Sequence, residues 1–370
     1  MNSLPAGWET RYLDEVVELR RGFDLPTRER RGGTYPVLSA GVTAGWHDEG
    51  PIKGPGMVVG RATNLGVPTW SDGDFWPLNT TLYVSDFKEN CPRFVFHLFE
   101  NMDLSGFDSG SVQPMLNRNY IAKLKVSIPP VAEQQAISEV LGALDDKIAA
   151  NRKLAQTADE LAVQTLRECD VAPLIDLVEH RRSSQMPLEC GVDRVAHFSL
   201  PAFDEGESPE VVDPMEIKSS KFRVEAPSVL ISKLNPRFPR IWEIPAVPEI
   251  PAYSSTEFLV LEPKYGSTST LWAALRQPAV TRQLESMVAG TSGSHQRVKP
   301  ADLLSVDVPD VRSINDRTRS TIDGLSAVIH AARRESQNMA TLRNALLPRL
   351  MAGELRVRDA EEFVEVVLGQ

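Results

Sequence analysis

Runs of apolar residues long enough to cross a bilayer, about 18 in a row, are missing from this chain, so no membrane span is expected. Met1 to Trp8 has neither a basic start nor an apolar core, so no secretory signal is expected. Cysteine is scarce. Cys91, Cys169 and Cys190 are odd in number and far apart, at spacings that fit no disulfide framework and no zinc site. A reducing, cytoplasmic setting is the simplest reading. The six histidines, His47, His97, His180, His197, His295 and His330, form no metal pair, and no serine or cysteine has a visible base. No metal, cofactor or catalytic residue is therefore expected.

Positive charge is also short: 40 Lys and Arg face 50 Asp and Glu, a net charge of -10. This excludes a uniformly basic coat for nucleic acid. The charge is uneven, however. Residues 20–31 carry Arg20, Arg21, Arg28, Arg30 and Arg31 against only Asp24 and Glu29. Lys233, Arg237 and Arg240 fall in a stretch without an acid, and His295, Arg297 and Lys299 lie close together. Acids gather instead at Asp204 to Glu216 and at Asp359 to Glu365. The chain is acidic on average and basic in patches.

What is present is a globular composition: 370 residues, 42% hydrophobic and 24% charged, enough for two or three domains. One plan is written twice. In the first copy a short helical pattern (Leu13, Val16, Val17) precedes strand-like runs at Tyr35 to Leu38, Gly56 to Gly60 and Thr81 to Val84. The loop Ser109 to Gln113, a helix start near Asn117 and an alternating strand Leu124 to Ile128 close it. The second copy repeats the order with Pro173 to Val178, Val229 to Lys233, Thr256 to Val260, Ser292 to Gln296 and Leu304 to Pro309. The frames agree and the connecting residues differ, which suits two different targets of one kind.

A long amphipathic helix follows each copy. After Pro129-Pro130, which suits a helix start, Ile137, Leu141, Leu144, Ile148, Ala155, Ala158 and Ala162 recur at three- and four-residue steps. From Ala132 to Glu168 such a helix is about 55 Å long. After Pro309 the stripe returns as Ile322, Leu325, Ile329, Ala332, Ser336, Met339, Leu342 and Leu346, with an end expected near Pro348. Each seam holds one polar residue, Asn151 and Ser336, of the kind that fixes register. A single helix of this length cannot bury its own stripe, so the two should pair antiparallel. The expected fold is α+β, with two strand-rich modules joined by two long coiled-coil-like helices in pseudo-two-fold arrangement. The boundaries are 1–130, 131–169, 170–310 and 311–355, with an acidic tail at 356–370.

Leu124 to Gln135, reading Leu-Lys-Val-Ser-Ile-Pro-Pro-Val-Ala-Glu-Gln-Gln, resembles the join between recognition domain and conserved helix in specificity subunits of type I restriction–modification systems. Gly110 to Gln113 with Leu116-Asn117, and the start Leu4 to Trp8, are similar to that family too. So are Phe198 to Asp204, Lys221-Phe222, Leu230 to Pro236 and Ser255 to Phe258 in the second copy. The resemblance covers nearly the whole chain. The second join departs from it, with Asn315-Asp316 in place of the Glu-Gln pair. The resemblance implies a non-catalytic subunit. Each target-recognition domain would read one half of a split double-stranded DNA site, the helices would set the spacing, and methyltransferase and restriction subunits would be the partners. A protein-interaction scaffold with two binding modules is the alternative.

Base readout needs Arg, Lys, Asn or Gln at base edges, whereas phosphate contacts only position. Candidates in the first copy are Arg20, Arg21, Arg28, Arg30 and Arg31, with Arg61, Thr63, Asn64 and Gln113. In the second they are Lys233, Asn235, Arg237 and Arg240, with Gln296, Arg297 and Lys299. Arg61 and Lys233 each follow the corresponding strand. The Ser-Gly-Ser loops either offer backbone N–H groups to DNA or serve as tight turns. Two look-alikes lack context. Asn235-Pro236-Arg237-Phe238 resembles an adenine methyltransferase loop but has Arg for the second Pro and no glycine loop between strand and helix. Asp204, Glu216 and Lys218 have nuclease-like spacing without an apolar strand around Glu216.

Overall fold

A computed structural model describes residues 4–62, 64–104, 106–107, 115–287 and 296–368, and side chains up to residue 364. Two compact units divide the chain: unit 1 is Met1–Ala149 with Ser336–Gln370, and unit 2 is Ala150–Glu335.

Unit 1 contains strands β1 (Glu9–Tyr12), β2 (Glu18–Arg21), β3 (Tyr35–Ser39), β4 (Val42–His47), β5 (Gly56–Gly60), β6 (Pro68–Ser71), β7 (Trp76–Pro77), β8 (Thr81–Asp86) and β9 (Lys125–Ile128). Helices α1 (Leu13–Val16), α2 (Pro92–Glu100) and α3 (Arg118–Ile121) accompany them, and the long helix α4 (Val131–Thr165) begins here. Unit 2 holds β10 (Val171–Pro173), β11 (Val178–Arg181), β12 (Ser184–Gln185), β13 (Val195–Phe198), β14 (Glu210–Val212), β15 (Lys221–Arg223), β16 (Ser228–Ser232), β17 (Ile241–Ile244), β18 (Ala252–Ser254), β19 (Phe258–Pro263) and β20 (Asp307–Pro309). Its helices are α5 (Leu174–Leu177), α6 (Leu200–Asp204), α7 (Thr268–Leu275), α8 (Pro278–Met287) and α9 (Pro300–Leu304). The second long helix, α10 (Asp316–Met351), starts in unit 2, and α11 (Val357–Leu368) follows it in unit 1.

The duplication seen in the sequence holds at the level of strand pairing. Unit 1 has a four-stranded sheet in the order β2-β8-β5-β6, and unit 2 has β11-β19-β16-β17, antiparallel throughout. β1 pairs β9, as β10 pairs β20. The remaining sheets repeat a three-strand arrangement too: β3 lies antiparallel to β4 and parallel to β7, as β13 does to β14 and β18. All residues of the central strands β5 and β16 are buried, which is why both read as unbroken apolar runs rather than as alternation.

The helical stripe is the seam. Ile137, Leu141, Leu144 and Ile148 of α4 join Met339, Leu346, Leu347 and Leu350 of α10 in the unit 1 core. Ala155, Ala158 and Ala162 of α4 join Ile322, Ile329 and Ala332 of α10 in the unit 2 core. The first half of α4 thus shares a core with the second half of α10, and the second half with the first, the pairing of an antiparallel couple. Asn151, buried in the seam, donates from Nδ2 to Glu335 Oε2 at 2.7 Å.

Two features mark the C-terminal end of the second long helix. The second helix does not stop at Pro348 but runs on to Met351. Proline there removes one N–H near a helix end, and burial of Leu347, Leu350 and Met351 holds the last turn in place. The turn ends at Gly353 (φ +66), a left-handed position packed on Pro5 and Trp8 where a side chain would clash. Beyond it the acidic segment folds as α11, seating Ala360 and Val364 in the unit 1 core.

Each unit fastens its strand-rich module to the long helices by buried polar groups, with different chemistry. In unit 1, Arg343 of α10 reaches Asp145 of α4 and Glu100 of α2. In unit 2 one pair reverses the polarity, Arg276 just after α7 binding Asp159 of α4, while Arg333 of α10 keeps it, holding Glu207 through two bonds of 2.6 and 2.9 Å. Glu243 of β17 is buried beneath α7 and α10 and accepts from Thr268 Oγ1 (2.9 Å) and Ser326 Oγ (2.7 Å), with His330 Nε2 at 3.1 Å. Burial works against its charge. The bonds from His330 and Ser326 outweigh burial and keep its pKa below the usual glutamate value.

Candidate nucleic-acid interface

Both central strands run out into a loop that carries cations, and the two loops are fastened alike. Arg61 follows β5; its N–H donates to Thr80 O at 2.9 Å, and its carbonyl accepts from Leu116 N at 2.7 Å. Lys233 follows β16; its N–H donates to Glu257 O at 2.9 Å, and its carbonyl accepts from Val298 N at 3.0 Å. Thr80 and Glu257 lie just before β8 and β19. Leu116 and Val298 lie two residues before α3 and α9. A left-handed asparagine follows in each loop, Asn64 (φ 46) and Asn235 (φ 52), a conformation this residue tolerates better than most.

The other candidates fall around these two anchors. In unit 2, Asn235 N–H donates to Gln296 O (2.9 Å) and Leu234 bridges Arg297, so loop 233–240 and segment 296–299 form one patch. Arg237 is exposed and without an ion pair among the described residues, and Lys299 caps α9 from an exposed position. Arg240 is held by Asp204 through bonds of 2.7 and 2.8 Å, and Arg297 pairs with Glu257 at 2.6 Å. Those two cations brace the loop. In unit 1, Arg21 ends β2 opposite Leu82, and Thr81 pairs with Gly60, so Arg21 and Arg61 share one end of the sheet. Arg20 pairs with Glu18 at 2.9 Å. Arg31 is clamped by Asp48 (2.8 Å) and Glu49 (2.7 Å). Arg30 donates to Ala44 O at 2.6 Å over Gly45, and Arg28 stays 84% exposed beside Glu29. Asn64 Nδ2 donates to Ala40 O at 3.3 Å. Thr63, Gln113 and the loops Ser109 to Gln113 and Ser292 to His295 lie outside the described residues.

Strand register exposes one candidate that reading the sequence missed. Arg20 faces Tyr83 across β8, and Arg181 faces Val260 across β19. Tyr83 and Val260 each stand two residues beyond the residue paired with the last residue of the central strand. Arg182 is thus the counterpart of Arg21, at the same end of the sheet as Lys233. It is exposed and bonds only His180, at 3.3 Å, among the described residues. Burial, then Arg182 and Lys233, push the His180 pKa below its usual value, so at neutral pH it adds no charge to this end. Aligning Arg20-Arg21 with Arg181-Arg182 in the repeat would have found the residue.

The look-alikes are spent on structure. Asp204 holds Arg240, Lys218 Nζ donates to Met215 O at 2.7 Å, and Asn235 serves the loop turn. Among the described residues no group of three or more His, Cys, Asp or Glu is placed to hold a metal ion. No described helix is long and apolar enough to cross a membrane.

A sheet plan present twice, each copy ending in a stapled cationic loop and each built on long helices, defines a duplicated scaffold. Comparison with known proteins points to a class: residues 5–158, the first module and most of α4, match the type I restriction modification DNA specificity domain family. A putative type I restriction enzyme specificity subunit of Haemophilus influenzae is 23% identical over 142 residues, which cover 37% of this chain and 37% of that protein. The crystal structure of the S subunit of a type I restriction–modification system from M. genitalium superposes with a TM-score of 0.59 at 16% identity, over 93% of this chain and 96% of that one. The fold is therefore that of an S subunit along almost its whole length.

Proposed function

We propose that this chain is the DNA-recognition subunit of a type I restriction–modification complex in the cytoplasm. Residues 1–130 and 170–310 act as target-recognition domains, and the helical stretches 131–169 and 311–355 set half-site spacing and dock modification subunits. Restriction subunits join that assembly, and the chain itself performs no chemistry. The observation that carries this reading is the repeated staple: the same two backbone bonds fix a cationic loop after the same strand in both units. Two loops with one scaffold and different side chains suit two half-sites of different sequence.

Variants that touch one loop should damage one half only. With the chain expressed beside a type I modification subunit, long-read sequencing of methylated adenine reports the motif. Arg61→Ala is expected to relax or abolish one half-site, and Arg237→Ala the other, each costing roughly 1–3 kcal/mol at the positions it reads. If each variant instead lowers methylation evenly at all sites, both arginines are phosphate contacts.

A further inference from the structure

Loop 233–240 carries an aromatic side chain that nothing above uses. Phe238 is 72% exposed, more than any other large hydrophobic side chain among the described residues. A ring held in water leaves a large apolar surface uncovered. The loop that presents it is fixed at several points. Phe238 N–H donates to Asn235 O at 3.0 Å, closing a four-residue turn, and Ser232 N–H donates to Arg240 O at 2.9 Å across the neck. Arg240 is tied to Asp204, Asn235 to Gln296, and Pro236 has a fixed φ. Little backbone ordering remains to be done on binding. Beside the ring stands Arg237, exposed and unpaired among the described residues.

An apolar ring on a braced turn next to an exposed cation is the equipment of a DNA wedge: the cation is drawn to the duplex, and the ring enters between base pairs that it unstacks. We propose that Phe238 inserts into the base stack of the half-site read by unit 2, with Arg237 engaging the duplex beside it. This rests on the DNA-reading role proposed above and adds an asymmetry to it. The matching loop of unit 1, Arg61 to Leu65, holds no aromatic residue, so only one half-site should be unstacked.

The test uses the full chain in complex with its modification subunit, and duplexes of the motif that methylation sequencing returns. 2-Aminopurine is placed in turn at positions of each half. The wild-type complex should raise its fluorescence in one half only. Phe238→Ala should remove that rise and weaken binding on the order of tenfold. Phe238→Trp should keep the rise, and neither variant should move the thermal midpoint, since the ring is exposed. No rise in a specific wild-type complex, a rise in both halves, or one that survives in Phe238→Ala overturns the wedge. So does a Phe238→Ala variant that loses its modification subunit while still unstacking DNA, which marks the ring as a protein contact. A wild-type complex that binds no split motif refutes the DNA reading instead.

Discussion

Replacing Arg343 by methionine should destabilise unit 1 by about 3 kcal/mol, because it strands two partly buried carboxylates at once. The Arg343 side chain is 12% exposed and joins Glu100 of α2 to Asp145 of α4. Methionine fills similar volume, so the loss is one of charge compensation rather than of a cavity. Arg93, 3.2 Å from Asp145, and His97, 2.8 Å from Glu100, remain as partial cover, which keeps the expected cost at the lower end of the range for a broken buried pair. Burial alone would raise the Glu100 pKa, but the hydrogen bond from His97 and the Arg343 guanidinium outweigh it and leave the pKa below the ordinary 4.5. The sign of the pH dependence follows. A carboxylate with a depressed folded-state pKa contributes stability above its unfolded value and loses it as pH falls through the folded one. The gap in unfolding free energy between wild type and Arg343→Met should therefore be full at pH 7 and shrink below about pH 4.5. Glu100→Gln combined with Asp145→Asn should recover most of the loss. A single variant within 0.5 kcal/mol of wild type, roughly the effect of a neutral surface change, would contradict the buried-clamp account.

Gln134→Leu should cost a similar amount, about 3 kcal/mol, from three broken hydrogen bonds. Gln134 is 1% exposed. Its Nε2 donates to Asn90 Oδ1 (2.9 Å) and Pro129 O (3.0 Å), and its Oε1 accepts from Cys91 N (2.9 Å). Leucine leaves all three partners without their bond. Gln134→Glu keeps the bond from Cys91 but sets a negative charge against two acceptor oxygens, so it should destabilise as well. Denaturant midpoints measure both. A Gln134 variant of unchanged stability that fails to bind the modification subunit would instead make this a docking residue. The two units make this tie between module and long helix differently. Unit 1 ties the N-terminus of α2 to α4 through Gln134. Unit 2 ties the N-cap of α7 to α10 by Ser267 Oγ donating to Asp323 Oδ1 at 2.5 Å. At the second join itself Asn315 Oδ1 accepts from Thr318 N at 2.8 Å.

Much of the architecture was legible because it rests on local periodicity. The seam residues from Ile137 to Ala162 are all buried, as their three- and four-residue steps require, and β5 and β16 are the buried strands their apolar runs indicate. Segment 357–368 was harder, because its charge masks a narrow apolar stripe, Val357, Ala360 and Val364. What the sequence could not disclose is pairing between distant residues. Arg237 and Arg240 look alike in one cationic stretch, yet Asp204, 36 residues earlier, takes Arg240, while Arg237 has no ion pair among the described residues. Arg31 is likewise spent on Asp48 and Glu49, whereas Arg182, unremarkable in sequence, gains meaning only from strand register. Buried networks such as Glu243 with Thr268, Ser326 and His330 depend on contacts across the fold and leave no periodic mark.

On the proposed function, two differently surfaced copies of one module read two halves of one DNA site. Expressing the wild-type chain with a type I modification subunit in a host free of adenine methylation, then sequencing the genome for methylated adenine, tests it most directly. The account predicts a single split motif, two specified halves separated by unspecified bases. One continuous motif, or no sequence-specific methylation from an assembled complex, would contradict it.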